Sequence, residues 1–241
     1  MSIGFPSATS APSGITALPS GAKRPAFGTV YGFDSSGGGG ASFSNQYSVE
    51  FDGTNDYISI PDANIFSLGN GSGTDNTFSI SGWFNADSIN TNYIATKDAS
   101  GNREWAFRTV SRKLHFFAFG TGGGYIGRKY TTNLSSGQWY HAVVTYDGSK
   151  ASSGIKLYLD GSRVDDADYA GGTHTASNNT STEVRVSSLQ INNTYSGGKV
   201  DELSFFNTEL SASDVTAIYN SGVPNDISCL LYTSDAADEF S

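Results

Sequence analysis

The strongest constraint in this chain is a pair of strand patterns between Gln138 and Gly161, each closed by an Asp-Gly turn. Trp139 to Tyr146 holds aromatic, β-branched and small side chains without Gly or Pro, which reads as a strand. Both faces carry apolar residues: Trp139 and Val143 on one, Tyr140, Ala142, Val144 and Tyr146 on the other. A strand apolar on both faces belongs near the middle of a layered structure, so Trp139 is expected to be buried. After Asp147-Gly148, Ile155 to Asp160 alternates, with Ile155, Leu157 and Leu159 opposite Lys156, Tyr158 and Asp160. That is a half-buried strand, and the two together predict an antiparallel pair.

Other segments repeat these signals. Tyr47 to Phe51 and Tyr57 to Ile60 read as short strands, with Asp52 to Asp56 as a hairpin tip between them. Further strands are predicted over Phe78 to Phe84, Tyr93 to Lys97, Glu104 to Thr109, Lys113 to Phe119, Val184 to Ile191 and Lys199 to Phe206. One short helix is predicted near the end. Ser211 is its N-cap with Asp214 three residues on, Val215, Ile218 and Tyr219 form its apolar side, and Gly222 and Pro224 stop it. Residues 1–45 are rich in Ser, Ala, Gly and Pro and include four consecutive glycines from Gly37 to Gly40, so a flexible arm is expected there.

The 241 residues suffice for one sandwich plus appendages, and the 29 glycines suit many turns. A net charge of −9 argues against nucleic acid, whose phosphates need Lys and Arg, and is compatible with divalent cations. The single cysteine, Cys229, allows no intramolecular disulfide. No apolar run reaches membrane-spanning length, so no membrane insertion is expected, and Met1 to Pro6 lacks the basic start of a secretory signal.

Four motifs carry a family resemblance. They are Glu50-Phe51-Asp52-Gly53-Thr54-Asn55-Asp56-Tyr57, Phe78 to Phe84, the pair Trp139 to Gly148 with Leu157 to Gly161, and Lys199 to Phe206 followed by the helix. Together they resemble the laminin-G-like group of concanavalin A-like lectin/glucanase domains. The resemblance implies an all-β, concanavalin A-like jelly-roll β-sandwich of two antiparallel sheets with one short C-terminal helix, over residues 46–224. Where family members carry an Ile-Gly pair, this chain has Ser187-Ser188-Leu189. Residues 225–241 continue no motif; from Cys229 on they resemble a translated sequencing-adapter fragment, and a non-native tail is expected. Without its Asp235, Asp238 and Glu239 the charge goes from −9 to −6, so the acidic balance survives.

Several chemistries can be weighed. Gly122, Gly124 and Gly127 match a dinucleotide fingerprint by letter, but Arg128 to Thr132 reads as strand where a helix is required, so a hairpin loop is the better account. His115, His141 and His174 show no zinc-ligand spacing, and no nucleophile elbow is present. Glycoside hydrolysis needs two carboxylates facing one bond. Glu50 and Asp52 begin a laminarinase-type pattern, but Thr54 and Asn55 stand where its last Glu belongs, and adjacent Asp201 and Glu202 point to opposite faces. The resemblance implies a structural calcium at Asp52, Asp56 and Asp201; Asp52 and Asp56 serve equally well as turn caps and Asp201 as part of a local backbone network. Glycan binding needs aromatic platforms with planar hydrogen-bonding groups, and Tyr93, Arg103, Trp105, Tyr125 and Tyr169 lie in or near predicted loops and strand ends.

The expected function is a non-catalytic module binding a glycan or cell-surface receptor, in a virion or at an extracellular surface, with the N-terminal arm joining it to virion proteins. A capsid- or tail-decorating module without glycan specificity is the alternative, and a glucanase-type hydrolase the third reading.

Overall fold

The computed structural model describes residue 45 and residues 47–223. The expected arm and tail lie outside the described residues, except Asn45. Fifteen strands follow in order: β1 (Val49–Asp52), β2 (Ile58–Ile60), β3 (Phe78–Ala86), β4 (Thr91–Ala99), β5 (Asn102–Val110), β6 (Lys113–Phe119), β7 (Tyr125–Lys129), β8 (Trp139–Tyr146), β9 (Ile155–Leu159), β10 (Ser162–Arg163), β11 (Ala167–Asp168), β12 (Val184–Val186), β13 (Ser188–Leu189), β14 (Thr194–Tyr195) and β15 (Gly197–Phe206). A single α-helix among the described residues, α1 (Ala212–Tyr219), comes last.

Two antiparallel sheets face each other: a six-stranded one in the order β1-β15-β3-β8-β9-β10, and a seven-stranded one in the order β11-β7-β6-β5-β4-β12-β2. The alternation of each strand sends one set of side chains between them. Phe78, Ile80 and Phe84 of β3, Ala142, Val144 and Tyr146 of β8, Trp105 and Phe107 of β5, and Leu114, Phe116 and Ala118 of β6 form this core. Strand β8 is central in its sheet, paired with β3 and β9, as its two apolar faces require. Its second apolar face meets α1, where Val143 and Tyr158 pack with Phe206, Leu210, Val215 and Ile218. The helix starts on a full capping box between Ser211 and Asp214.

Three expectations fail, each for a physical reason. Trp139 is 41% exposed rather than buried, because it is the first residue of β8 and projects past the edge of the core. Asp52 to Asp56 is not a hairpin tip: β1 pairs with β15 and β2 with β12, so this segment crosses from one sheet to the other. Turn chemistry marks a change of direction, not the next pairing partner. The run Val184 to Ile191 is broken at Ser187, whose φ of 61° places it in the left-handed region. Beyond it β13 turns off to pair with β14, while the Ser187 hydroxyl donates to the Ser196 carbonyl.

Candidate functional site

The α-helix lies on the six-stranded sheet, so the outward face of the seven-stranded sheet carries no α-helix among the described residues. Its centre is set by strand register. Residues directly opposite on neighbouring antiparallel strands share a face, with Cβ atoms about 4.5–5.5 Å apart. Arg108 of β5 stands opposite His115 of β6, and His115 opposite Lys129 of β7. One step along, Ala106 is opposite Phe117 and Phe117 opposite Gly127. A further step pairs Phe119 with Tyr125. These three rows point outward because the alternate residues Trp105, Phe107, Phe116, Ala118 and Ile126 fill the core.

The chain after β11 extends the face. The Tyr169 amide donates to the Gly127 carbonyl at 2.9 Å, and Tyr125 and Gly171 exchange backbone bonds at 2.8 and 3.0 Å. This close approach accounts for the glycine pattern. A Cβ on Gly122 would lie 2.4 Å from the Thr173 carbonyl oxygen, and one on Gly124 would lie 2.6 Å from that of Gly171. The glycines therefore admit a neighbouring backbone and cradle no phosphate.

On this scaffold the rings form one cluster. Phe117 has its centroid 5.5 Å from Tyr169, 5.4 Å from Phe119 and 6.1 Å from Tyr125, and Tyr125 lies 5.3 Å from Tyr169. His115 meets Tyr169 edge-on at 4.9 Å. Two guanidinium groups lie over the rings, Arg103 at 3.7 Å from the Phe119 centroid and Arg108 at 4.8 Å from that of Phe117. Phe117 is the buried floor, while Phe119, Tyr125, Tyr169, Arg103 and Arg108 are partly exposed around it. Arg103 is also held by both carboxylate oxygens of Asp98, at 2.7 and 2.9 Å. The His115 ring stays neutral at neutral pH: burial and then the charges of Lys129, Arg108 and Lys113 lower its pKa to about 4.

Of the glycan residues named from sequence, Arg103, Tyr125 and Tyr169 meet here. Tyr93 stands opposite Arg108 but is only 7% exposed, its hydroxyl accepting from Thr194. Trp105 does not belong to the face. It is fully buried between the sheets, and its Nε1–H donates to the Phe66 carbonyl at 2.7 Å. Sequence reasoning missed Arg108, His115, Phe117 and Phe119. Period-two alternation held the signal: once Leu114, Phe116 and Ala118 are assigned to the core, the aromatic residues between them must face out.

The three aspartates considered for calcium are not brought together. Asp52 pairs with Gly197, four residues before Asp201, a distance of about 13 Å along a strand. Its carboxylate caps the following turn, accepting from the Thr54 and Asn55 amides. Asp56 is a partly exposed loop residue. Asp201 accepts from the Asn45 side-chain amide at 2.8 Å, and Asn45 also reaches Glu202 at 3.2 Å. Among the described residues no three His, Cys, Asp or Glu side chains form a metal-holding group, so Asp52, Asp56 and Asp201 do not fit a shared calcium.

Ser81 Oγ and His141 Nε2 lie 2.9 Å apart, but both residues are 1% exposed, beneath Trp83 and Tyr219. The Asp160 carboxylate accepts from the His141 backbone amide rather than from its ring, and Nδ1 has no partner. A buried serine without access and a histidine without an orienting acid do not form a nucleophile–base pair.

The profile of the concanavalin A-like lectin/glucanases superfamily matches residues 52–216, and the chain belongs to that family. Among solved structures, the binding domain of Paraclostridial Mosquitocidal Protein 1 is similar at a TM-score of 0.54 and 15% identity, over 73% of this chain and 46% of that one. The binding domain of botulinum neurotoxin serotype D gives a TM-score of 0.52 at 15% identity, over 72% of this chain and 42% of that one. At such identities the likeness concerns the fold, and the chain spans less than half the length of those domains. None of the curated proteins matches the sequence.

Proposed function

We propose that this chain is a non-catalytic binding module that takes a carbohydrate or cell-surface glycan on the outward face of the seven-stranded sheet. The observation that carries this reading is the ring cluster of Phe117, Phe119, Tyr125 and Tyr169, overlaid by Arg103 and Arg108 on the face that carries no α-helix among the described residues. The apolar C–H faces of a sugar ring pack on aromatic rings, and its hydroxyls need planar, orientable hydrogen-bonding partners. The two solved structures compared above are themselves binding domains by name.

The same face argues against hydrolysis as the activity. Two carboxylates would have to flank the bond. Among the described residues, the three central rows hold Arg108, His115, Lys129, Ala106, Phe117, Gly127, Phe119 and Tyr125. Glu104, the nearest carboxylate on β5, is 1% exposed and is engaged by Lys97 and by the Thr180 amide and hydroxyl.

A glycan array probed with the full chain tests the proposal. Binding should be found, and Tyr125→Ala and Tyr169→Ala should each weaken it while leaving the circular dichroism spectrum unchanged. An array without a bound glycan favours the pure decoration module, and tight binding by both variants moves the site elsewhere. The proposed setting is a virion or extracellular surface that displays this face. Cosedimentation of the chain with purified particles checks the virion half of that setting, and a chain that never accompanies particles removes it.

A further inference from the structure

We infer that the ligand of this face is an acidic saccharide, bound through its carboxylate or sulfate groups by Arg108, Lys129 and Lys113. The inference rests on the binding reading above and adds the chemical class of the ligand.

The starting point is a contrast of charge. The chain carries −9 overall, yet one row of this face reads Arg108, His115, Lys129 across three neighbouring strands. Lys113 lies two residues before His115 on β6 and so on the same side. With strands about 4.8 Å apart, Arg108 and Lys129 stand about 10 Å from each other across the imidazole. Most cations elsewhere among the described residues are neutralised, while Arg112 and Lys150 donate to the Leu134 and Gly73 carbonyls. Arg103 is held by Asp98, Arg128 on the opposite side of β7 by Asp165 and Asp168, Lys156 by Glu209, and Arg185 by Glu183. Among the described residues, Arg108, Lys113 and Lys129 have no carboxylate in ion-pair contact.

The second observation is hydrogen-bonding capacity left unused. Arg108 Nε is buried and has no partner, although the guanidinium is fixed over Phe117. His115 is 6% exposed, and its Nδ1 also has none. Buried polar atoms are nearly always satisfied, and an unmet guanidinium donor costs more than a neutral one. Like charges gathered without counter-charge also repel. An anion seated between Arg108 and Lys129 removes both costs. Guanidinium groups recognise carboxylate and sulfate oxygens with paired N–H donors. The neighbouring step of the sheet then suits the sugar itself. The partly exposed rings of Tyr169, Tyr125 and Phe119 stand there around Phe117, which is 2% exposed beneath Arg108 and supports them. Charge for the acidic group and rings for the pyranose thus lie one strand step apart.

The test uses the full chain and three fluorescent polysaccharides by anisotropy. Hyaluronan supplies carboxylates, heparin supplies sulfates in addition, and dextran is neutral. At least one acidic probe should bind, and dextran should bind much more weakly. Affinity should fall steeply with added salt, because released counterions accompany each neutralised cation. The Lys113→Gln/Lys129→Gln double variant should lose about tenfold or more, in line with the cost of removing one partner of a charge pair. Arg108→Gln should do the same. Should Arg108→Gln melt early, the lysine double variant alone decides, because its side chains bear no part of the core. Equal binding of dextran and the acidic probes overturns the acidic-ligand inference and leaves the binding module standing. Undiminished affinity in the lysine variant overturns the assignment of these cations. If neither these probes nor any arrayed glycan binds, both readings fall.

Discussion

Two tryptophans show what sequence can and cannot say about a residue. Trp105 and Trp139 are both strand residues with apolar neighbours, and the sequence places Trp139 in the core and Trp105 at a surface. The structure reverses them, at 0% and 41% exposure. Alternation tells which residues share a face, but in strands apolar on both sides it does not tell which face is inward. Trp105→Ala should therefore cost about 3–5 kcal/mol, because it empties a large site between Phe78, Phe116 and Phe205 and leaves the Phe66 carbonyl without its donor. Trp139→Ala should stay within about 0.5 kcal/mol, as surface substitutions usually do. Urea denaturation of the two variants checks both values, and a larger loss for Trp139→Ala would contradict its exposed position. The same ambiguity explains the site. Arg103, Tyr125 and Tyr169 were legible as candidates for this face, whereas Phe117 and Phe119 were hidden in a strand that reads as apolar throughout.

Elements were more legible than faces, because strand signals are local. Trp139–Tyr146 and Lys113–Phe119 have the bounds their patterns predict. Partners are not local: β1 and β2 belong to different sheets, although only five residues separate them. Nor does local pattern reveal why the loop between β6 and β7 is so rich in glycine. The reason is the segment after β11, whose backbone crosses directly over Gly122 and Gly124. Gly124→Ala places a methyl group 2.6 Å from the Gly171 carbonyl and from neighbouring backbone atoms, where no flexible side chain can yield. The segment must shift, and Tyr169 with it. The expected outcome is a lower melting temperature together with weaker ligand binding. Gly123→Ala is the control, with no atom within 4 Å of its Cβ but a φ of 80° that a side chain tolerates poorly. It should lower stability modestly by backbone strain, about 1 kcal/mol, without disturbing Tyr169. Calorimetry and binding assays on both variants separate steric displacement from strain; equal ligand affinity in Gly124→Ala and wild type would show that Tyr169 does not depend on this packing.

At the scale of the whole molecule, buried His141 and half-buried Glu202 pull stability in opposite directions with pH. His141 lies beneath Trp83 and Tyr219, and burial lowers its pKa from 6.5 to about 4. Glu202 sits at a β-bulge with φ 48°, and burial first, then the charge of Asp201, raises its pKa from 4.5 to about 7 against hydrogen bonds from Asn45 and Trp83. Stability follows the difference in protons bound by the unfolded and folded states. For His141 the unfolded chain binds more protons between pH 4 and 6.5, so its contribution is complete above 6.5 and is lost as pH falls through 4. For Glu202 the folded chain binds more between pH 4.5 and 7, so its contribution is complete below 4.5 and is lost as pH rises through 7. Asp160 and Asp201, raised by burial, act in the same direction as Glu202. The two residues therefore partly cancel between pH 4.5 and 6.5, and the wild-type profile should be flatter there than either group alone would make it. His141→Gln can retain a bond to the Ser81 hydroxyl without a titrating ring, so its stability should fall less than wild type from pH 6.5 to 4. Glu202→Gln should fall less than wild type from pH 4.5 to 7. Denaturation midpoints measured across this range give the difference curve for each variant. Curves that run parallel to wild type would mean that neither group titrates differently in the folded chain. Difference curves of the same sign would mean that the covered sheet does not bury one base and one acid as it does here.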